Sequence, residues 1–430
     1  AGGAFARYSV DDKWLVPHFE KMLYDNAQLA VVYLEAFQLM GDRFYRQVTE
    51  ETLDYVLRDM RDEHGGFYAA EDADSEGVEG KFYVWSKSEF EACLDADDRD
   101  LAVRMYDVTE SGNFEGTNIL NRPVSPRVLA AELDMDETEL EARRRTINES
   151  LMAVRADRIR PGLDDKILVA WNGLMITAFA RAAQVLNDDR YRQAAVDASV
   201  FIVENLWPED GLRHLSCKGQ ARFPAYLDDY TNLANAFIDV YETTFDSVWL
   251  TRADTLAEQM IQRFLDKKAG GFYFTSDEHQ KLVVRSKPAF DSAVPAGNGT
   301  AVHVLLRLGR MLGKNEYTEI ASAILRRHTN VISKAPRGFM TMLQAIEDML
   351  SAPADIAIVG DPAGDDAAAL IRVVHERFLP GRTIVAGNTD TPLLKDKTTT
   401  DGKAAAYVCR NFTCREPVTD AAALATMLAE

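Results

Sequence analysis

Apolar positions along this chain recur at helical spacing, in long runs that come in pairs. Residues 19–40 carry Phe19, Met22, Leu23, Ala30, Tyr33 and Phe37 on one stripe, which predicts a helix that starts near Pro17, where a missing N–H is tolerated. A second run over 43–62 begins after Gly41 and Asp42, where glycine ends one helix and aspartate caps the next. The pattern also predicts a charged helix over 137–156 and hairpins over 166–186 with 189–206, 226–245 with 248–266 and 296–312 with 315–333. A last helix covers 338–351.

Glycine–aromatic segments follow the pairs: GGFY at Gly65, DGLRHL at Asp210, GGFYF at Gly270 and RGFMTM at Arg337. Gly211 and Gly271 are 60 residues apart, Gly271 and Gly338 67. Units of two helices and a short hairpin at that spacing bury their faces against neighbours, as in a closed toroid or a solenoid. Ten long helices are two short of the twelve in an (α/α)6 barrel. The expected fold is therefore mainly α, an (α/α)6 barrel of the six-hairpin type over 1–352 with its first hairpin missing. An open solenoid is the alternative, but polar clusters at the starts of the inner helices suit a ring with a pocket on its axis. The stretch GGFYAAEDADSEGVEGKFYVW reads as a loop with two short strands, Gly66–Ala69 and Lys81–Trp85. Residues 353–430 read as a small α/β appendage: strands ADIAIVG, GRTIVAG and KAAAYVCRN, a helix over 363–378 and a closing one over 421–428.

Composition narrows the partners. A net charge of −20 and a pI near 4.9 weigh against nucleic acid or anionic lipid, and suit a neutral or cationic ligand. No stretch approaches the roughly 18 to 20 apolar residues of a membrane span. The opening AGGAFARYSVDD has neither an initiator Met nor a signal core, so a piece of a longer protein is expected. Four scattered cysteines point to a reducing, cytoplasmic compartment. Cys409 and Cys414 are too widely spaced for C-x-x-C and lack a second pair for zinc, so two structural thiols are expected. Nucleotide and serine-hydrolase motifs are absent, and neither cofactor nor metal is implied.

The candidate chemistry gathers at helix starts. PHFEKMLYDNAQ brings His18, Glu20, Lys21 and Asp25 into what reads as the first turns of a core helix, and His18 suits proton transfer near neutrality. A histidine satisfied by a backbone carbonyl is the structural alternative. In EDADSEG, Glu71, Asp72 and Asp74 read as a pocket-lining carboxylate cluster or a solvated turn. A calcium loop is disfavoured, because Tyr83 stands where its bidentate glutamate belongs. Asp228 and Asp229 before Tyr230, like Asp164 and Asp165 before Lys166, are either helix caps or the carboxyl pair of a carbohydrate-acting site. Trp14, Trp85 and Trp171 suit sugar stacking or the core. Asn172 and Asn298 are candidate ligand donors, as is Asp291 ahead of PAGNG.

The segments GGAFARYSVDDKWLVPHFEKMLYDNAQL, GGFYAAEDADSEGVEGKFYVW, NFEGTNIL, RPGLDDKILVAWNGLMITAFARA, YLDDYTNLANAF, PAGNGTA and YVCRNFTC resemble the YyaL or spermatogenesis-associated protein 20 family along essentially the whole chain. That resemblance implies an N-terminal thioredoxin-like domain, absent here, followed by an (α/α)6 domain similar to six-hairpin glycosidases and N-acylglucosamine 2-epimerases. The expectation is acid–base chemistry on a saccharide or polyhydroxy small molecule, as an epimerase, isomerase or glycoside hydrolase. His18, Asp72 and Asp228 are the expected catalytic residues. Trp14, Glu20, Lys21, Asp25, Glu71, Asp74, Lys166, Trp171, Asn172, Asp229, Tyr230, Asp291 and Asn298 are expected to bind. The rival is a non-catalytic ligand-binding or redox-adaptor domain that serves the thioredoxin-like part.

Overall fold

The computed structural model describes residues 2–280, 283–351, 353–387, 391–410 and 413–429. In chain order the elements are β1 (Lys21–Met22), α1 (Leu23–Met40), α2 (Arg43–Asp59), β2 (Ala70–Glu71), β3 (Asp74–Ser75), β4 (Val78–Glu79), α3 (Lys87–Ala92), α4 (Ala96–Met105), α5 (Pro126–Glu132) and α6 (Glu137–Ala156). There follow β5 (Leu163–Asp164), β6 (Ile167–Leu168), α7 (Val169–Leu186), α8 (Asp189–Leu206), β7 (Arg213–Cys217), β8 (Gln220–Pro224), α9 (Leu227–Thr244), α10 (Ser247–Phe264), α11 (Gly297–Leu312), α12 (Asn315–Lys334) and α13 (Met340–Leu350). The chain ends with β9 (Asp355–Val359), α14 (Asp365–His375), β10 (Thr383–Gly387), β11 (Ala405–Arg410), β12 (Thr413–Cys414) and α15 (Ala421–Ala429). Two compact units result. The first comprises Ala1–Asn26, Glu51–Met60 and Tyr68–Asp165, the second Ala27–Glu50, Arg61–Phe67 and Lys166–Glu430.

In the second unit the hairpins turn where the sequence says they should. Asn187 takes a left-handed conformation after α7, and the Asp188 side chain then accepts the Arg190 N–H to start α8. Phe245 and Asp246 repeat the device between α9 and α10. Helices α7, α9 and α11 pack successively against one another, with α8, α10 and α12 each against its hairpin partner. Gly173 allows the closest approach: a Cβ there would sit 2.7 Å from the Asn232 carbonyl carbon of α9. The C-terminal sheet runs β10-β9-β11-β12, with β9 and β10 parallel and β11 antiparallel to both β9 and β12.

The glycine–aromatic repeat has a physical cause. Phe67 donates its N–H to Asn172 Oδ1 at 2.8 Å and takes Nδ2 of the same amide on its carbonyl at 2.9 Å. Phe272 and Asn298 form the same two-bond clasp at 2.8 and 2.9 Å. In the first unit Phe5, which follows another pair of glycines, is held by Asn26 at 2.7 and 3.2 Å. In each case an amide in the first turns of one helix satisfies both backbone groups of a loop aromatic, which no helix or strand supplies with partners.

Several expectations need correction. The helix read over 19–40 begins only at Leu23, because His18 and Arg7 pair their amides with the Tyr8 and Glu20 carbonyls and hold residues 17–22 out of the helix. His18, Glu20 and Lys21 thus precede the helix, and Asp25 lies in its first turn. The strands read at Gly66–Ala69 and Lys81–Trp85 lie instead at β2 to β4. The stretch read as a loop is partly core, with Phe67, Phe82 and Trp85 buried. Helices α3, α4 and α5 were not anticipated; they enclose an apolar cluster of Trp85, Phe90, Leu101, Met105 and Ile147. The RGFMTM segment forms a 3-10 turn, Pro336–Gly338, in place of a hairpin. Cys409 and Cys414 are a disulfide, not two thiols, since they face each other across β11 and β12.

Removing the clasp should cost stability. Asn298→Ala leaves the buried N–H and carbonyl of Phe272 unsatisfied, at about 1–3 kcal/mol each. A fall of at least 2 kcal/mol or so in urea unfolding is expected. A change below about 0.5 kcal/mol would show that the clasp is dispensable.

Candidate active site

In the second unit the first turn of α9 builds a compact acid–base group. Asp229, fully buried, accepts the Tyr226 N–H on Oδ2 at 2.8 Å and the Ala170 N–H of α7 on Oδ1 at 3.0 Å. The same Oδ2 lies 2.8 Å from His214 Nδ1 on β7, which fixes the imidazole with Nδ1–H donating and leaves Nε2 to meet a ligand. Burial works against the imidazolium, but the hydrogen bond and charge of Asp229, with Asp228 adding, raise the His214 pKa on balance. Tyr226 presents its edge to His214, with ring centroids 5.0 Å apart, and stacks on Phe274 at 4.9 Å.

Asp228 sits beside this dyad in a different state. Burial, reinforced by the Asp229 charge, pushes its carboxyl up to about 7, against the pull of the Gly297 amide and His214. Its buried Oδ1 has no hydrogen-bond partner. It rests on the start of α11, where a Cβ on Gly297 would come within 2.2 Å of Oδ1 and displace the carboxyl. Two carboxyl groups adjacent in sequence are thereby told apart: Asp229 meets three hydrogen-bond partners, while Asp228 carries a proton into the neutral range.

The other expected residues of this unit are engaged structurally. Asn172 and Asn298 form the clasps, and Tyr230 is buried with its hydroxyl bonded to the Leu212 backbone. Asp291 caps two helices, accepting the Ala296 and Thr341 N–H groups at 2.9 Å each. Lys166 and Trp171 are half-buried.

In the first unit His18 stacks on Tyr8 at 4.6 Å, with Nδ1 3.8 Å from Glu20, which pairs with Arg7 at 3.2 Å. Burial raises the Asp25 carboxyl to about 6, Arg7 opposing and Glu20 assisting. Lys21 and Glu71 face each other across β1 and β2, both buried. Asp72 and Asp74 are exposed, and Asp72 accepts the Ala73 N–H at 2.7 Å within its own turn. Trp14 is 86% exposed. Among the described residues no group of three or more His, Cys, Asp or Glu is placed to hold a metal, and no helix is long and apolar enough to cross a membrane.

His214 was not singled out from the sequence. Its signal was present in DGLRHL, where it occupies an alternate position of a hairpin two residues after Leu212. It was submerged in the repeat.

Residues 163–331, from β5 into α12, match the N-acylglucosamine 2-epimerase family and include His214, Asp228 and Asp229. The chain is 32% identical to human spermatogenesis-associated protein 20 over 99% of its own length and 60% of that protein's, and 31% identical to the Rattus norvegicus protein over the same shares. The chain is similar to spermatogenesis-associated protein 20. The resemblance read from the sequence motifs is thereby borne out, and the chain spans about 60% of the length of the spermatogenesis-associated protein 20 relatives it matches. A sugar epimerase from a ruminal bacterium has a crystal structure that matches with a TM-score of 0.50 at 11% identity, covering 77% of this chain and 66% of that one. The fold class is the mainly α, (α/α)6 class expected, with small sheets only.

The state of Asp228 sets a pH dependence. Its folded pKa of about 7 exceeds the ordinary 3.8, so between those values the native state keeps a proton that the unfolded chain releases. Stability from this group is full below about pH 4 and declines toward pH 7, by at most about 1.4 kcal/mol per unit. Asp228→Asn removes the titration. Urea unfolding at several pH values should therefore show the wild type losing ground to the variant as pH rises; a constant difference would contradict the protonated carboxyl.

Proposed function

We propose that this chain acts on a saccharide by acid–base chemistry of the epimerase or isomerase type, with His214 and Asp228 as the proton-transferring pair. The observation that carries this reading is the pair itself: an imidazole oriented by an ionised Asp229, next to a half-buried carboxyl with an elevated pKa and an unpartnered oxygen. Epimerisation beside a carbonyl requires one group to remove the C–H proton and another to supply a proton, both working near neutrality. His214 Nε2 serves as base, and the Asp229 carboxylate stabilises the imidazolium that forms. Asp228 serves as acid toward the oxygen or carbon of the resulting enediol. Tyr226 and Phe274 offer an apolar face for a sugar ring. The match of residues 163–331 to the N-acylglucosamine 2-epimerase family supports the substrate class, as does the fold shared with a sugar epimerase.

The test is incubation of the purified chain in D2O with aldoses, 2-acylamino sugars and disaccharides, with NMR detection of deuterium at the carbon next to the carbonyl. Wild type should exchange at least one of them. His214→Asn and Asp228→Asn should each slow exchange by about 10² to 10⁴. Sugars that raise the melting temperature without any exchange would favour a non-catalytic binding domain. Neither stabilisation nor exchange across the panel would remove the saccharide reading.

A further inference from the structure

The first unit holds a second set of reactive side chains that the His214 chemistry does not use. Lys21 lies opposite Glu71 in the β1–β2 register and is 6% exposed. Its Nζ donates to the Phe19 carbonyl at 3.0 Å and lies 3.6 Å from the centre of the Tyr83 ring. Among the described residues no carboxylate forms an ion pair with it. Glu71 is taken by Arg160 at 2.9 Å and by the Tyr83 hydroxyl, and Asp59 by Arg160 at 2.7 Å and Arg58 at 2.5 Å. Arg155 stands over the Phe82 and Tyr83 rings at 5.2 and 5.5 Å. The Tyr55 hydroxyl, buried without a hydrogen-bond partner, feels the same Glu71 and Asp59 charges.

This is an amine stripped of water and crowded by guanidinium groups, the two conditions that turn a lysine into a nucleophile. The Tyr83 ring and the Phe19 carbonyl favour the ammonium form. Burial is the larger effect; Glu71 and Asp59 oppose it, Arg155 and Arg160 add to it, and the balance brings the Lys21 pKa down to about 7. A simple structural lysine would be expected to pair with the carboxylate opposite it in the sheet. Here Arg160 and Tyr83 hold that carboxylate.

We propose that Lys21 captures a small aldehyde, such as the open-chain form of an aldose, as an imine, with Tyr83 and Glu71 handling the protons. The nitrogen forms a bond to the carbonyl carbon, and the oxygen takes the Tyr83 proton. The proton lost by nitrogen passes through Glu71 to restore the phenol. The C–O bond of the carbinolamine then breaks and the oxygen leaves as water with a proton from the same pair, which the second nitrogen proton replaces. Amine and aldehyde become imine and water, with no oxidant or reductant consumed.

The experiment uses the full chain with glycolaldehyde and cyanoborohydride, which reduces imines to stable adducts that peptide mass spectrometry locates. At pH 7 an ordinary lysine is neutral in on the order of 1 molecule in 10³, so exposed Lys13 and Lys81 should react slowly. Lys21 should form its adduct at least about tenfold faster, with a rate that levels off above pH 8 while theirs keeps rising. Tyr83→Phe keeps the ring over Lys21 but removes the phenol. It should slow the Lys21 adduct about tenfold or more and leave Lys13 unchanged. A Lys21 adduct no faster than that of Lys13, or one indifferent to Tyr83→Phe, overturns the proposal. Neither outcome bears on His214.

Discussion

The asparagine clasp is the interaction on which the helical repeat depends. A loop that passes beneath a helix start carries backbone groups it cannot pair with itself, and burying them unpaired costs more than the contacts around them return. One carboxamide answers both needs, since it presents an acceptor and a donor in the same plane. Asn26 and Asn172 use a second donor hydrogen on the carbonyl four residues back, Met22 and Leu168, and Asn298 uses it on Pro288. Each amide thus locks a helix start and an aromatic loop together, and Phe67 and Phe272 are fully buried beside their clasps. The repeated glycines let the loop backbone reach the amide: Gly65, Gly270 and Gly271 all have positive φ.

The two ends of α9 treat buried carboxyl groups in opposite ways. Near its C-terminus Asp239 and Glu242 are buried, yet Arg307 reaches both at 2.8 and 3.2 Å, and Arg382 joins Glu242 at 3.0 Å. Burial opposes ionisation of Asp239, but Arg307 and Arg181 outweigh it and hold its pKa below the usual value. Roughly 15 Å away along the helix axis, at 1.5 Å per residue, Asp228 has burial without a guanidinium and keeps its proton. Compensated charge ties Arg382, on the approach to β10, to the helices. Where no guanidinium reaches, burial instead favours the neutral carboxyl of Asp228.

Much of this was legible in the sequence because long helices write a periodic signal. The breaks at Asn187 with Asp188 and at Gly41 with Asp42 needed only local chemistry, and the three α/β strands of the C-terminal segment were continuous apolar runs. What failed was decided at longer range. Residues 17–22 carry a helical apolar stripe, but backbone pairing with residues 7 and 8 wins and keeps them out of the helix. Helices α3 to α5 are short and charged on one face, and their burial against Trp85 cannot be seen within a single window. The site was half legible: two adjacent aspartates at a helix start announce a special position. Which of the two is fully hydrogen-bonded depends on Ala170, Gly297 and His214, three residues from other elements.

Asp229 is the point at which the fold and the site become inseparable. Its carboxylate closes the first turn of α9 through the Tyr226 amide, ties α7 through the Ala170 amide and orients His214, using two oxygens for three donors. Any substitution there would loosen a helix start and an interhelical contact at the same time as it freed the imidazole, so lost activity would not distinguish a misfolded chain from a misoriented base. Asp228 carries less of that structural duty: the Gly297 amide bonds to it, but its Oδ1 has no partner. A half-buried carboxyl that the Gly297 amide bonds while one oxygen stays unpartnered is not explained by stability, because an asparagine there would avoid the cost of burying an ionisable group. That asymmetry between neighbours, one aspartate committed to the scaffold and the other left with an open valence, is the strongest physical reason to place the chemistry at the start of α9.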